Sequence, residues 1–124
     1  AGIKWRIIIV SACFSGGFIE PLANPYTLVM TAARSDRNSF GCGHHGQYTY
    51  FGEAFFEDGL NQGYFFLEAF ERAKKRVSIR EEQEGFVHSE PQISLGLEMK
   101  AKLLEFENQQ QDRKSLNWAY TEKN

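Results

Sequence analysis

Residues 6–17, RIIIVSACFSGG, decide the fold of this chain. They open with a short, unbroken run of β-branched residues at positions 7–10. Such a run is typical of a strand that is buried on both faces, as in the middle of a parallel sheet. The change to polar and small residues places Cys13 just beyond the carboxyl end of that strand, where open α/β sheets bind their ligands. The stretch therefore predicts a central parallel strand with a candidate nucleophile at its end.

Cys13 has two interpretations. A free cysteine is most often a small buried hydrophobic residue. Here Gly16 and Gly17 follow it closely, and such small neighbours let a substrate backbone approach and leave amide N–H groups free. The N–H of Cys13 itself is a candidate donor to an oxyanion. The two glycines favour a nucleophile over a packing residue.

Composition restricts the class of protein. The 124 residues are enough for one domain. The net charge of −2 gives no reason to expect nucleic acid or an anionic membrane as a partner. No apolar run reaches the roughly 18 residues that span a bilayer, so we expect no membrane insertion by this segment. Two cysteines are too few for a disulfide framework, which leaves open only a single Cys13–Cys42 bridge.

The periodicity along the chain predicts an α/β fold, with a parallel sheet flanked by helices. The predicted elements are strands at 7–10 and 27–33, a loop at 34–46, helices at 50–60 and 65–84, a short strand at 92–95 and a helix at 97–106. The connection between the first two strands is long enough for a parallel crossover. Gly85 is the expected C-cap of the second helix. We place the domain at residues 1–107 and a frayed polar tail at 108–124.

The loop GCGHHG at 41–46 matches a dinucleotide fingerprint only as a string, because it neither follows a strand directly nor precedes a second strand ending in an acidic residue. Cys42, His44 and His45 are candidate metal ligands. Adjacent histidines rarely point the same way and a fourth ligand is not apparent, so solvated loop histidines are favoured and no metal is expected. Either histidine is also a candidate base for Cys13, since Cys/His pairing depends on space rather than sequence.

Three motifs in this order, IIIVSACFSGGF, LVMTAARSDRNSFGC and TYFGEAFF, resemble the legumain-like (asparaginyl endopeptidase) family of cysteine peptidases. That family includes the catalytic subunit of the glycosylphosphatidylinositol transamidase. The resemblance covers residues 3–56 and implies a partial caspase-like sheet. It implies a thiol endopeptidase or transpeptidase that acts on peptide or protein substrates without a cofactor. It also implies Cys13 as the nucleophile and the Cys13 backbone N–H as part of the oxyanion hole.

The base is the first departure from the family. There it is a histidine in a His-Gly pair after the preceding strand, and residues 1–12 contain no histidine. The resemblance therefore implies the carboxyl-terminal part of a peptidase domain, inactive alone, that pairs with a missing N-terminal half or with itself. The alternative is a catalytically inert interaction module with the same fold.

The specificity pocket is the second departure. The positions that match the family's S1 pocket are Ser11, Asn38 with Ser39 beside it, and Glu53. At one of the family's two acidic positions this chain keeps a carboxylate, on the longer side chain of Glu53, and at the other it has the hydroxyl of Ser11. The resemblance therefore implies a polar S1 pocket with altered hydrogen-bonding groups, and such groups decide which side chain is accepted.

Overall fold

The computed structural model describes residues 2–41 and 49–123, with side chains described as far as residue 113. The described chain forms a mixed α/β fold in which a three-stranded sheet is flanked by helices. This confirms the predicted fold class. Cys42, His44 and His45 lie outside the described residues, so the interpretations of that loop stay predictions.

The sheet contains β1 (Arg6–Val10), β2 (Thr27–Thr31) and β3 (Gln92–Leu95), in the order β1-β2-β3. Strands β1 and β2 are parallel, with Ile8 opposite Val29. Strand β3 is antiparallel to β2, with Ser94 opposite Val29. Because β1 and β2 are parallel, the segments that follow them leave the sheet at the same edge.

The expectation that the first apolar run is the central strand is wrong for the described chain. Every residue of β2 is buried, whereas Ile7 of β1 is 40% exposed. Within residues 2–41 and 49–123, β1 pairs on one side only. A β-branched run shows that a strand is suited to burial, but it does not show which strand receives neighbours on both sides.

Four helices are described: α1 (Ile19–Leu22), α2 (Tyr50–Gly52), α3 (Phe66–Glu84) and α4 (Leu97–Lys123). Helix α3 confirms the longest predicted helix, and Gly85 ends it in the left-handed conformation, with φ of 74°. The predicted helix at 50–60 is instead divided into α2, a π-helical stretch at Glu53–Glu57 and a 3-10 turn at Leu60–Gln62.

Helix α4 continues to Lys123, beyond the predicted helix at 97–106, whereas the predicted frayed tail at 108–124 stays a prediction. Residues 108–124 contain no glycine or proline, and glutamine, arginine and lysine have high helix propensity. Polarity alone therefore did not mark the end of this helix. No helix in the described part of the chain is long and apolar enough to cross a membrane.

One hydrophobic core joins the sheet to α2, α3 and α4. It includes Leu28, Met30, Phe51, Phe55, Phe70, Ala73, Val77, Met99 and Leu103. The ring of Phe51 lies 5.8 Å from that of Phe55 and 5.9 Å from that of Phe70. This packing holds α2 and α3 against β2, which fixes the segments at the carboxyl edge of the sheet.

Candidate active site

Cys13 lies in the turn that follows β1, and its thiol is free and exposed. The next residue, Phe14, has φ of 58°, in the left-handed region that few residues other than glycine adopt. The Phe14 N–H donates to the carbonyl oxygen of Arg37 at 2.8 Å. Backbone held in such a conformation by its surroundings is most often found at functional sites. The turn therefore presents the thiol at the carboxyl edge of the sheet, as the sequence predicted.

Ser39, in the loop after β2, holds the thiol of Cys13 through its backbone. The Ser39 N–H donates to Cys13 Sγ at 3.2 Å, and the thiol donates to the Ser39 carbonyl oxygen at 3.3 Å. Ser39 is 8% exposed, and its hydroxyl lies 3.8 Å from the sulfur. Because both shorter contacts are made by backbone groups, the fold of the loop sets the position of the sulfur.

Gly16 allows the Cys13 turn and the loop after β2 to meet at backbone distance. A Cβ at this position would lie 2.5 Å from the Ser35 nitrogen and 2.8 Å from the Arg34 carbonyl carbon. The buried hydroxyl of Ser15 also accepts the Ala33 N–H at 3.2 Å. Packing therefore requires Ser15 and Gly16, whereas a side chain at Gly17 would meet nothing within 4 Å.

The backbone N–H of Cys13 donates to no acceptor in residues 2–41 and 49–123. An oxyanion-hole donor must be free in this way before a substrate arrives. Its role in the oxyanion hole stays a prediction.

Ser11, an expected S1 residue, is exposed, and its hydroxyl lies 2.5 Å from that of Thr49. Thr49 is 5% exposed and forms the N-cap of α2, since its hydroxyl accepts the Gly52 N–H at 2.9 Å. The sequence interpretation missed Thr49. A threonine immediately before a helical period is a known start signal and would have found the cap, although not the contact with Ser11.

Asn38 and Glu53, the other expected S1 residues, are placed differently from Ser39. Asn38 is exposed, whereas Ser39 is buried against the thiol. The Glu53 carboxylate lies 3.6 Å from Arg80 of α3. The Arg80 guanidinium also lies 3.7 Å above the ring of Tyr50. The structure thus brings Ser39 to the thiol and pairs the charge of Glu53 with a cation on α3.

His88 is the histidine in the described part of the chain, and it lies between α3 and β3. Its Nδ1 is 3.1 Å from the Ser78 hydroxyl and 3.9 Å from a carboxylate oxygen of Glu81. The thiol of Cys13 makes its described hydrogen bonds with Ser39 instead. No described histidine is thus in position to take the thiol proton.

Charges beside the site form local pairs. Arg34 donates to both carboxylate oxygens of Asp36, at 2.5 and 2.9 Å, and this hydrogen bonding lowers the pKa of Asp36. The Tyr50 hydroxyl donates to Glu84 at 2.6 Å, and the hydrogen bond to that carboxylate raises the pKa of Tyr50. Among the described residues there is no group of three or more His, Cys, Asp or Glu that could hold a metal ion.

Comparison with known proteins places the chain in a protein family. A family model described as "Peptidase C13 family" matches residues 2–102. No curated protein and no solved structure matches the chain. The matched region runs from before β1 into α4, and it includes both the turn that carries Cys13 and the loop that carries Ser39.

Proposed function

This chain belongs to the Peptidase C13 family, and from that membership we propose that it is the part of a thiol endopeptidase or transpeptidase that carries the nucleophile, Cys13. The family implies cysteine-type peptidase chemistry, and hence peptide or protein substrates. The observation that supports Cys13 best is its exposed thiol, held at the carboxyl edge of the sheet by the backbone of Ser39.

In the proposed reaction a base removes the thiol proton and Cys13 Sγ attacks the carbonyl carbon of a peptide bond. The carbonyl oxygen becomes an oxyanion, which accepts a hydrogen bond from the Cys13 N–H. The C–N bond then breaks, and the proton that the base holds passes to the leaving amine. Water or a second amine attacks the resulting thioester, which releases an acid or a new peptide and restores the thiol.

The base is proposed to come from outside the described residues. An unassisted cysteine is only a few per cent thiolate near pH 7, so catalysis needs a proton acceptor. Within residues 2–41 and 49–123 one edge of β1 has no neighbouring strand, so a further strand could pair there, and Ile7 of β1 is 40% exposed. We propose that this edge accepts a strand of the front half of the peptidase domain, which supplies the histidine.

The S1 pocket is proposed to be polar and to bind a neutral side chain. The hydroxyls of Ser11, Thr49 and Ser39 lie at the carboxyl edge of β1 and β2. The Glu53 carboxylate, paired with Arg80, is less suited than these hydroxyls to attract a basic side chain. A pocket of hydroxyl groups discriminates by hydrogen bonding, which can reject a substrate that lacks the matching group.

The test is peptide cleavage by the complete protein with Cys13→Ala. We expect kcat to fall by roughly 10⁴-fold or more, because the attacking atom is removed. Cys42→Ala is the matched control and should keep most of the activity. Unchanged cleavage by Cys13→Ala would refute the proposed role.

A catalytically inert interaction module is the second candidate. The position of His88, engaged with Ser78 instead of Cys13, favours it. Two measurements distinguish the candidates. An inert module would show no cleavage by the wild-type complete protein, and it would form no thioester at Cys13 with an activated peptide ester.

A further inference from the structure

Glu81 of α3 is a buried carboxylate that the proposed reaction does not use. It is 1% exposed, and its two oxygens accept the Ser89 N–H at 3.1 and 3.0 Å. The Nδ1 of His88 lies 3.9 Å from one of these oxygens. Burying a carboxylate is costly unless it is paired or hydrogen-bonded. Because the two Glu81 oxygens share one backbone N–H, we expect the Ser89 peptide that they hold to have a structural role.

Ser89 belongs to the connection between α3 and β3, residues 86–90, which we call the strap. The strap holds the loop after β2, residues 34–40, which we call the thiol loop. Their contacts are the Arg34 N–H to the Ser89 carbonyl oxygen at 2.8 Å, the Arg37 guanidinium to the His88 carbonyl oxygen at 3.2 Å, the ion pair of Arg34 with Glu90, and the stacked rings of Phe40 and Phe86 at 4.3 Å.

The thiol loop in turn holds Cys13. The Arg37 carbonyl oxygen accepts the Phe14 N–H, and the Ser39 backbone contacts the sulfur from both its N–H and its carbonyl oxygen. A series of hydrogen bonds therefore leads from the Glu81 carboxylate, through the backbone of the strap and of the thiol loop, to the sulfur of Cys13. Glu81 is the buried charged group at the start of that series.

We propose that Glu81 is a positioning residue for Cys13. Its carboxylate fixes the Ser89 peptide, whose carbonyl oxygen then anchors the Arg34 end of the thiol loop. Hydrogen bonds to a carboxylate are roughly twice as strong as neutral ones. The contact of Glu81 with the Ser89 N–H is therefore strong enough to hold the strap, and through it the thiol loop, in place. Glu90, directly after Ser89, has φ of 55°, so the strap holds a conformation that needs such an anchor. The inference rests on the proposed function only for its catalytic consequence.

Glu81→Gln separates positioning from stability. The largest cost of changing a buried polar group arises when its partner is left without a hydrogen bond, and glutamine keeps an acceptor for the Ser89 N–H. The glutamine keeps one oxygen for the Ser89 N–H and turns the other position into a donor, so the anchor weakens while the side-chain volume stays. The matched control is Glu82→Gln, the same change at the neighbouring, exposed position of α3.

The measurement is hydrogen exchange on the full chain. In Glu81→Gln we expect the protection of the Ser39 and Phe14 amides to fall roughly tenfold, the loss of about one net hydrogen bond to a charged group. The Ala32 amide, which donates to the Val10 carbonyl oxygen, should keep its protection. Glu82→Gln should leave all three unchanged. Equal protection of Ser39 in Glu81→Gln and wild type would overturn the proposal, as would an equal loss at Ala32.

A second variant decides the matter if Glu81→Gln does not fold. Arg37→Ala removes the guanidinium that joins the thiol loop to the strap, while its backbone contact with Phe14 is retained. We expect the same selective loss of protection at Ser39. Unchanged protection there would show that the contact of Arg37 with the His88 carbonyl oxygen does not hold the loop, and it would contradict the proposed path from the strap to Ser39.

The catalytic consequence is a separate readout. In the complete protein, Glu81→Gln should lower kcat roughly tenfold with little change in KM, since a displaced nucleophile costs transition-state stabilisation and not binding. If Cys13→Ala keeps its activity, the proposed function fails, yet the exchange data still test the positioning role. If exchange is unchanged, the positioning role fails and the proposed function is untouched.

Discussion

Gly16→Ala tests whether the Cys13 turn and the loop after β2 depend on backbone contact. The new Cβ would lie 2.5 Å from the Ser35 nitrogen, 2.8 Å from the Arg34 carbonyl carbon and 2.9 Å from the Ala33 oxygen. All three are backbone atoms, so no flexible side chain can move aside. Ordinary contact begins at 3.4 Å, so one segment must shift by about 0.9 Å, the difference from 2.5 Å.

The cost follows from that shift. Overpacking of this kind costs about 1–3 kcal/mol, and loss of the bond from the Ala33 N–H to the Ser15 hydroxyl adds about 1 kcal/mol. The reduced freedom of the unfolded chain offsets about 0.4–1 kcal/mol. We expect Gly16→Ala to lower the free energy of unfolding by about 1–3.6 kcal/mol.

Gly17→Ala is the matched control, since a Cβ at Gly17 would meet nothing within 4 Å. It should be neutral, or stabilising by about 0.4–1 kcal/mol, through the unfolded chain alone. Equilibrium urea unfolding of wild type and both variants gives the comparison, provided that the slope against urea is the same. If Gly16→Ala were as stable as Gly17→Ala, the close approach of the two segments would be wrong.

The remaining predictions concern the cap of α2 and an exposed ion pair. Thr49→Ala should lower the free energy of unfolding by about 1–2 kcal/mol, because the Gly52 N–H loses its acceptor, whereas Ser11→Ala should change it by less than about 0.5 kcal/mol in the same urea assay. Because Arg34 lowers the pKa of Asp36 in the folded protein, their pairing stabilises the fold at a pH above the ordinary aspartate pKa. This contribution is lost as the pH falls through the lower pKa of the folded protein. NMR titration of the Asp36 carboxyl should therefore give a midpoint below the ordinary value, and Arg34→Lys, which cannot form the two-pronged contact, should raise that midpoint; an unmoved midpoint would contradict the assigned cause.

Two elements whose signal is local, α3 and β3, were predicted closely from the sequence. The helical stripe of Phe70, Ala73 and Val77 and the cap at Gly85 describe α3 closely, because each turn of a helix records which face is buried. The short strand at Gln92–Leu95 was found in the same way. Cys13 at the end of β1 was also visible, since a buried strand that changes to small residues marks the edge of a sheet.

The sequence by itself thus determined the α/β class, the family-like motifs and the position of Cys13 directly after a strand. Only the tertiary structure decided that β1 pairs on one side among the described residues, that Ser39 holds the sulfur with its backbone, and that Glu81 is buried beneath Ser89. The periodicity of a segment indicates which of its faces is buried in the core. It does not indicate which distant segment packs against that face. Those contacts are set by strand order and by close packing, as at Gly16, and both exist only once the chain has folded.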